Sequence, residues 1–164
     1  MTNLFFFKKK FFLIINMFHK NFLLGFLYFL FSIFMFFFSG ILILGVRLEL
    51  FNIFLNIFQN DYFNSLTTLH GLIMIFGFIT PCFTGLFYMI LPNIIFIKNF
   101  FFFKISIFSF LMLFFSSIFL IFSFFLPFGN FSFGWTLYTP LSLQSNYNLD
   151  FIIFSIYFFQ YHFL

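Results

Sequence analysis

Long apolar stretches without charged residues alternate with shorter polar segments along the chain. A bilayer core about 30 Å thick requires roughly 20 apolar helical residues. Residues 21–44, 66–91 and 100–126 are therefore each predicted to form a transmembrane helix. Residues 151–164 begin a fourth apolar span, but at about 1.5 Å per residue they reach only about 21 Å. We expect this fourth helix to stop within the membrane or to be completed by another chain.

Positive charge is distributed unevenly between the two predicted faces of the membrane. Six of the seven Lys and Arg residues precede the first span, lie between the second and third, or interrupt the third span near its start: Lys8, Lys9, Lys10, Lys20, Lys98 and Lys104. The remaining cation is Arg47, after the first span. Because cations accumulate on the side of synthesis, residues 45–65 and 128–150 are predicted to lie on the opposite face. Residues 1–20 are expected to form a separate interfacial segment.

The composition excludes a soluble domain. Hydrophobic residues make up 64% and charged residues 6%, the mean hydropathy is +1.18, and soluble domains carry about 25% charge. The longest basic run is too short to suggest nucleic-acid binding, and a single cysteine excludes an internal disulfide framework. The 43 Phe residues and the lack of Ala are typical of AT-rich codons. Together with the missing cleavage and import signals, they favour synthesis within an organelle.

His70 is the most informative polar residue, since it lies about one turn into the second span. Its imidazole either donates a hydrogen bond to a neighbouring helix or binds a metal, most plausibly haem iron. The small Gly71 beside it would let a flat macrocycle approach the helix. His19 and His162 are predicted to lie at other depths in the membrane. A second axial ligand is therefore expected from another chain.

Short motifs occur in a fixed order along the chain: residues 19–20, 47–50, 60–64, 68–74, 81, 91–92, 134–141, 149–150 and 153–155. The most telling are Thr-Leu-His-Gly-Leu-Ile-Met at 68–74 and Gly-Trp-Thr-Leu-Tyr-Thr-Pro-Leu at 134–141. In this order and at these spacings they resemble the first third of cytochrome c oxidase subunit I, of the haem-copper oxidase superfamily. The resemblance implies an all-α membrane fold with the first four helices of a twelve-helix bundle.

The resemblance also implies roles for individual residues. His70 matches an axial ligand of the low-spin haem a, and Arg47 matches the arginine that hydrogen-bonds the haem formyl group. Trp135 matches a tryptophan that contacts a haem propionate, and Tyr138 belongs to the same loop. Glu49 matches an acidic residue of a peripheral Ca or Na site. A snorkelling arginine, an interfacial tryptophan and a solvated carboxylate are the simpler interpretations of these last residues.

The family's other haem a ligand and its haem a3 and copper ligands lie beyond the fourth helix. The resemblance therefore implies that this chain is not catalytic alone. We expect it to be the N-terminal piece of a split subunit I, whose C-terminal part is a separate chain. Subunit II, cytochrome c and the lipid bilayer are the other expected partners. The implied location is the mitochondrial inner membrane, with the N-terminus on the matrix side.

Three positions depart from the family pattern, and one of them is Thr139, since Tyr-Thr-Pro stands at 138–140 where the family has Tyr-Pro-Pro. Asn99 aligns with an aspartate of proton uptake, and Tyr88 falls where a channel asparagine is expected, so proton pumping by the usual route is in doubt. Three alternative functions stay open. They are a quinol oxidase subunit I, a cytochrome b-type subunit, and a transporter or assembly component with a hinge at Pro81. The spans lack the paired histidines of a cytochrome b.

Overall fold

The computed structural model describes residues 2–51, 58, 60–95, 103–126, 133–140, 142 and 148–161. These residues form helices joined by turns, with no strand among them. The elements are α1 (Thr2–Phe51), α2 (Asn60–Leu72), a π-helix (Ile73–Ile79), α3 (Thr80–Ile95), α4 (Phe103–Phe125) and α5 (Asn148–Tyr161). The elements α2, π-helix and α3 follow one another without a break and form one long helix.

Three helical segments of the described chain are long and apolar enough to cross a membrane: Lys20–Phe51, Tyr62–Pro92 and Lys104–Phe125. They coincide with the three full spans predicted from the sequence, and the predicted all-α membrane fold is confirmed. The fourth helix, α5, has 14 residues, which corresponds to about 21 Å of helix.

The first helix, Thr2–Phe51, extends beyond the predicted span 21–44 at both ends. Its stretch that is long and apolar enough to cross a membrane begins at Lys20, and the interfacial role of residues 1–20 stays a prediction. The sequence before Gly25 contains neither Gly nor Pro, and an isolated Asn, His or Lys costs a helix only a few tenths of a kcal/mol, about 0.7 at most. The polar residues Asn16 and His19 therefore do not end the helix.

The crossing of α1 and α3 depends on two glycines. A β-carbon on Gly25 would lie 2.7 Å from the carbonyl oxygen of Gly85, and one on Gly85 would lie 2.8 Å from the carbonyl oxygen of Gly25. Small residues let helix backbones approach closely within a membrane, where van der Waals contact drives association. Beside this crossing, Tyr28 stacks on Tyr88 with ring centroids 5.7 Å apart. Its hydroxyl hydrogen-bonds Ser109 Oγ at 2.8 Å and so connects α1 to α4.

The face of α4 that packs inside the bundle is rich in serine, whereas its outer face carries Phe, Leu and Ile. Its buried serines are Ser106, Ser109, Ser116, Ser117 and Ser123. Ser116 Oγ donates to the backbone oxygen of Ser155 at 2.9 Å and joins α4 to α5. This arrangement suits a bilayer, where large apolar side chains face lipid and small residues pack between helices.

The crossing at Gly25 and Gly85 predicts different effects on stability for two substitutions in α1. Gly25→Ala should destabilise the bundle by roughly 1–3 kcal/mol, because the new methyl group overlaps the backbone of α3. Gly40→Ala is the matched control, since a β-carbon there meets nothing within 4 Å. It should be neutral or slightly stabilising. Unfolding of the detergent-solubilised complex in SDS measures both, and equal stabilities of the two variants would contradict the crossing.

Candidate functional site

The imidazole of His70 is fixed by Ser39 of the neighbouring helix α1. His70 Nδ1 lies 2.8 Å from Ser39 Oγ and 3.0 Å from the Ser39 backbone oxygen. A carbonyl oxygen only accepts hydrogen bonds, so a neutral His70 in this contact carries its proton on Nδ1. The lone pair is then on Nε2, the nitrogen that remains for a metal.

A loop between α4 and α5 is attached to the same helix two residues before His70. The backbone N–H of Gly134 donates to Thr68 Oγ1 at 3.2 Å, and Thr68 Oγ1 in turn donates to the backbone oxygen of Asn64 at 2.8 Å. A β-carbon on Gly71 would lie 3.2 Å from Trp135 Cβ. Glycine at position 71 therefore allows Trp135 to pack directly beside the residue that follows His70 in the chain.

The described part of this loop, residues 133–140, is folded by its own backbone. The N–H of Tyr138 donates to the Phe133 oxygen at 3.1 Å, and the N–H of Leu137 donates to the Gly134 oxygen at 3.2 Å. Phe133 is only 2% exposed and anchors the loop in the bundle, whereas Trp135 and Tyr138 are 53% and 68% exposed. The loop thus holds two aromatic side chains at the surface, and Trp135 lies beside the C-terminal end of α2.

The two other predicted site residues lie further along α1. Arg47 is exposed and is eight residues from Ser39, which corresponds to about 12 Å along the helix axis. Glu49 is half-buried, and its Oε2 accepts a hydrogen bond from the Phe58 N–H at 3.0 Å. This bond folds the chain back after α1. A cation at Glu49 stays a prediction, since the described residues contain no group of three or more His, Cys, Asp or Glu that could hold a metal ion.

The structure therefore brings His70 and Trp135 together, with Tyr138 on the same loop, while Arg47 and Glu49 lie near the end of α1. His162 and Asn99 are outside the described residues, as is the side chain of His19. The sequence analysis did not identify Ser39 as the partner of His70. The available signal was a serine beside a glycine, Ser39-Gly40, within an uncharged span that contains Ser32 as well.

Comparison with known proteins agrees with these features. A family model described as "Cytochrome C and Quinol oxidase polypeptide I" matches residues 23–164. The chain belongs to this family. The resemblance drawn from short motifs is thereby confirmed for most of the chain.

Curated relatives match this chain over part of their own length. It is 38% identical over 124 residues to "Cytochrome c oxidase subunit 1" of Corynebacterium diphtheriae, covering 76% of this chain and 22% of that protein. It is 35% identical over 124 residues to the protein of the same name from Corynebacterium efficiens. It is also 35% identical to "Probable cytochrome c oxidase subunit 1-alpha" of Streptomyces coelicolor, with 76% and 21% covered in both cases. The chain thus spans about a fifth of the length of these relatives.

The attachment of the loop to α2 predicts different effects for two adjacent threonines. Both Thr67 and Thr68 donate to the Asn64 backbone oxygen, but only Thr68 also accepts from Gly134. Thr68→Ala should therefore leave the Gly134 N–H without this acceptor, at a cost of about 1 kcal/mol. Hydrogen exchange in residues 133–140 should become about five-fold faster. Thr67→Ala is the control and should leave exchange in the loop unchanged; equal acceleration in both variants would contradict the role of Thr68.

Proposed function

We propose that the chain is the N-terminal part of cytochrome c oxidase subunit I and that His70 Nε2 is an axial ligand of the low-spin haem a. The observation that carries this proposal is the contact between His70 Nδ1 and the Ser39 backbone oxygen. It fixes the tautomer whose lone pair is on Nε2, and a second hydrogen-bonding partner of this kind is usual for histidines that bind metals.

The residues around His70 offer a haem one nitrogen ligand and, on the neighbouring loop, an indole. A β-carbon on Gly71 would lie 3.2 Å from Trp135 Cβ, so the space beside Gly71 holds Trp135 and not the flat macrocycle that was expected there from the sequence. When bound, a haem of this type supplies one-electron transfer between a donor and the oxygen-reducing centre. His70 would donate its lone pair to the iron, Ser39 would hold the ring, and Trp135 would donate a hydrogen bond to an anionic propionate.

Arg47 would act on the opposite edge of the cofactor from the propionates. Its guanidinium is proposed to donate a hydrogen bond to the haem formyl oxygen and so withdraw electron density from the ring. Such a charge acts strongly where the surrounding dielectric constant is low. Glu49 is proposed as an acidic ligand of a peripheral Ca or Na ion, next to the chain reversal that it stabilises through Phe58.

The rest of the centre is proposed to come from outside these residues. The chain has three histidines in all, so the second haem a ligand and the ligands of haem a3 and copper would belong to the remaining part of subunit I. That part lies either on the same polypeptide or, as the sequence analysis expects, on a second one. Oxygen reduction with electrons from cytochrome c, delivered through subunit II, is therefore proposed for the assembled complex only.

The proposed location is the mitochondrial inner membrane with the N-terminus in the matrix. Its support is the AT-rich composition, with 43 Phe residues and no Ala, and the concentration of cations on one predicted face. The relatives named above are bacterial, and the support comes from the sequence alone. Detection of the chain in purified mitochondrial inner membranes tests this location directly.

A quinol oxidase subunit I is the second candidate, because the matching family model covers quinol oxidases as well. Such an enzyme would share the histidine ligand but take its electrons from a membrane quinol. The identity of the low-spin haem and the presence of a copper centre in subunit II distinguish the two candidates.

Replacing the proposed ligand gives the central test. In the purified parent complex, His70→Ala should remove the low-spin haem component from the reduced-minus-oxidised difference spectrum, because alanine offers no nitrogen to the iron. His19→Ala is the matched control and should leave that component unchanged. Retention of the full low-spin signal in the His70 variant would remove this residue from the site.

Replacing Arg47 tests which haem is bound. Arg47→Ala should shift the low-spin haem absorption band to shorter wavelength and lower the midpoint potential, because the donor to the formyl oxygen is lost. Lys104→Ala removes an exposed cation on the opposite predicted face, and it should change neither quantity. An unmoved band in the Arg47 variant would contradict the formyl contact and favour a haem without a formyl group, as in the second candidate.

A further inference from the structure

The second spanning helix buries residues at intervals that a regular α-helix cannot keep on one face. Ile73, Gly77, Pro81 and Gly85 are all buried and follow one another at steps of four residues. With 3.6 residues per turn, each step of four turns the helix about 40° beyond a full circle. Three such steps amount to a drift of about 120°, which would carry Gly85 well away from the face that contains Ile73.

The same face of α1 nevertheless contacts this helix along its length. His70 contacts Ser39, and a β-carbon on Gly77 would lie 2.9 Å from Met35 Cε. Gly85 lies against Gly25, which is nearer to the N-terminus of α1 than Met35. On the face of α1 that contacts this helix, buried residues follow ordinary α-helical spacing: Gly25, Tyr28, Ser32, Met35 and Ser39. The rotation of the buried face must therefore be compensated within the second spanning helix.

The π-helix Ile73–Ile79 lies between the two ends of this contact and can absorb the drift. The N–H of Thr80 bonds to the Ile75 oxygen, five residues back, so each such turn takes one residue more than an α-helical turn. The 15 residues from His70 to Gly85 exceed four α-helical turns by about 60°, whereas the 14 residues from Gly25 to Ser39 fall about 40° short of four turns. One extra residue corresponds to about 100° of rotation, which removes this mismatch between the two helices. The rotation needed to keep both contacts is thus supplied within the membrane span.

Local chemistry favours the π-helix at this position. Pro81 has no N–H and cannot form the α-helical bond to the Gly77 oxygen. The hydroxyl of Thr80 donates to the Phe76 oxygen at 2.6 Å, which satisfies a backbone group that a bilayer would leave unpaired. Pro81 and Thr80 therefore reduce the hydrogen-bonding advantage of a continuous α-helix over the π-helix at this position.

We propose that the π-helix Ile73–Ile79 is a positioning element for His70. It supplies the extra residue that lets one helix hold Gly85 against Gly25 and, at the same time, direct His70 onto Ser39. Without that residue, and with α3 fixed at the glycine crossing, α2 would be turned by about 100° and the imidazole would leave Ser39. This inference rests on the proposed role of His70 as a haem ligand.

Changing the number of residues within the π-helix tests the proposal in the assembled complex. Deletion of Ile75 should remove most of the low-spin haem signal per assembled complex. Insertion of one Ala after Phe78 in the deletion variant restores the residue count and should restore the signal. Deletion of Ile94, an exposed residue of α3 beyond both contacts, is the matched control and should leave the signal unchanged.

The variant His70→Ala, measured alongside, separates this inference from the proposed function. Full low-spin signal in His70→Ala would overturn the proposed function and this inference with it. Loss of the signal in His70→Ala together with full signal and unchanged midpoint potential in the Ile75 deletion would overturn the inference alone.

If the Ile75 deletion prevents assembly of the complex, a single substitution tests the same inference. Pro81→Ala restores an N–H that can bond to the Gly77 oxygen and so favours the α-helix over the π-helix. It should shift both the absorption band and the midpoint potential of the low-spin haem. Values equal to those of the unmodified complex would overturn the inference.

Discussion

The hydrogen bond from His70 Nδ1 to Ser39 is the interaction on which the site depends. It joins α1 to α2 at the imidazole and, with Nδ1 bonded to Ser39, leaves Nε2 as the nitrogen that faces away from this contact. In a membrane such a contact is also a structural requirement, because a polar ring facing hydrocarbon is costly unless it is partnered. One side-chain contact thus links the packing of two helices to the chemistry proposed for the site.

Many buried hydroxyl groups of the described helices form hydrogen bonds within the bundle, while large apolar side chains face outward. Several buried serine hydroxyls donate to backbone oxygens of their own helix, for example Ser109 to Ser106 and Ser123 to Leu120. Lipid-facing positions such as Phe37, 66% exposed, need only be large and apolar. Drift towards Phe is therefore tolerated on the outer faces, while the interior keeps the Gly and Ser that close helix packing requires.

The features that depend on composition and length could be predicted from the sequence, whereas those that depend on helix–helix register could not. Uncharged stretches located the three spans, and an isolated polar residue in one of them identified His70. The partner of His70 was missed because serines occur throughout the spans and only the crossing of α1 and α2 selects Ser39. The π-helix left a signal in the four-residue spacing of Gly77, Pro81 and Gly85, which conflicts with a 3.6-residue turn.

Tyr88 departs from the family pattern and lies apart from the proposed haem ligand. Tyr88, at the position where the resemblance implies a channel asparagine, stacks on Tyr28 with an interplanar angle of 13°. An aromatic pair beside the glycine crossing packs α1 against α3 where an amide would have offered hydrogen bonds to water. His70 contacts Ser39, eleven residues further along α1, or about 16 Å of helix. The aromatic pair at Tyr88 is therefore well separated from the contact that orients His70.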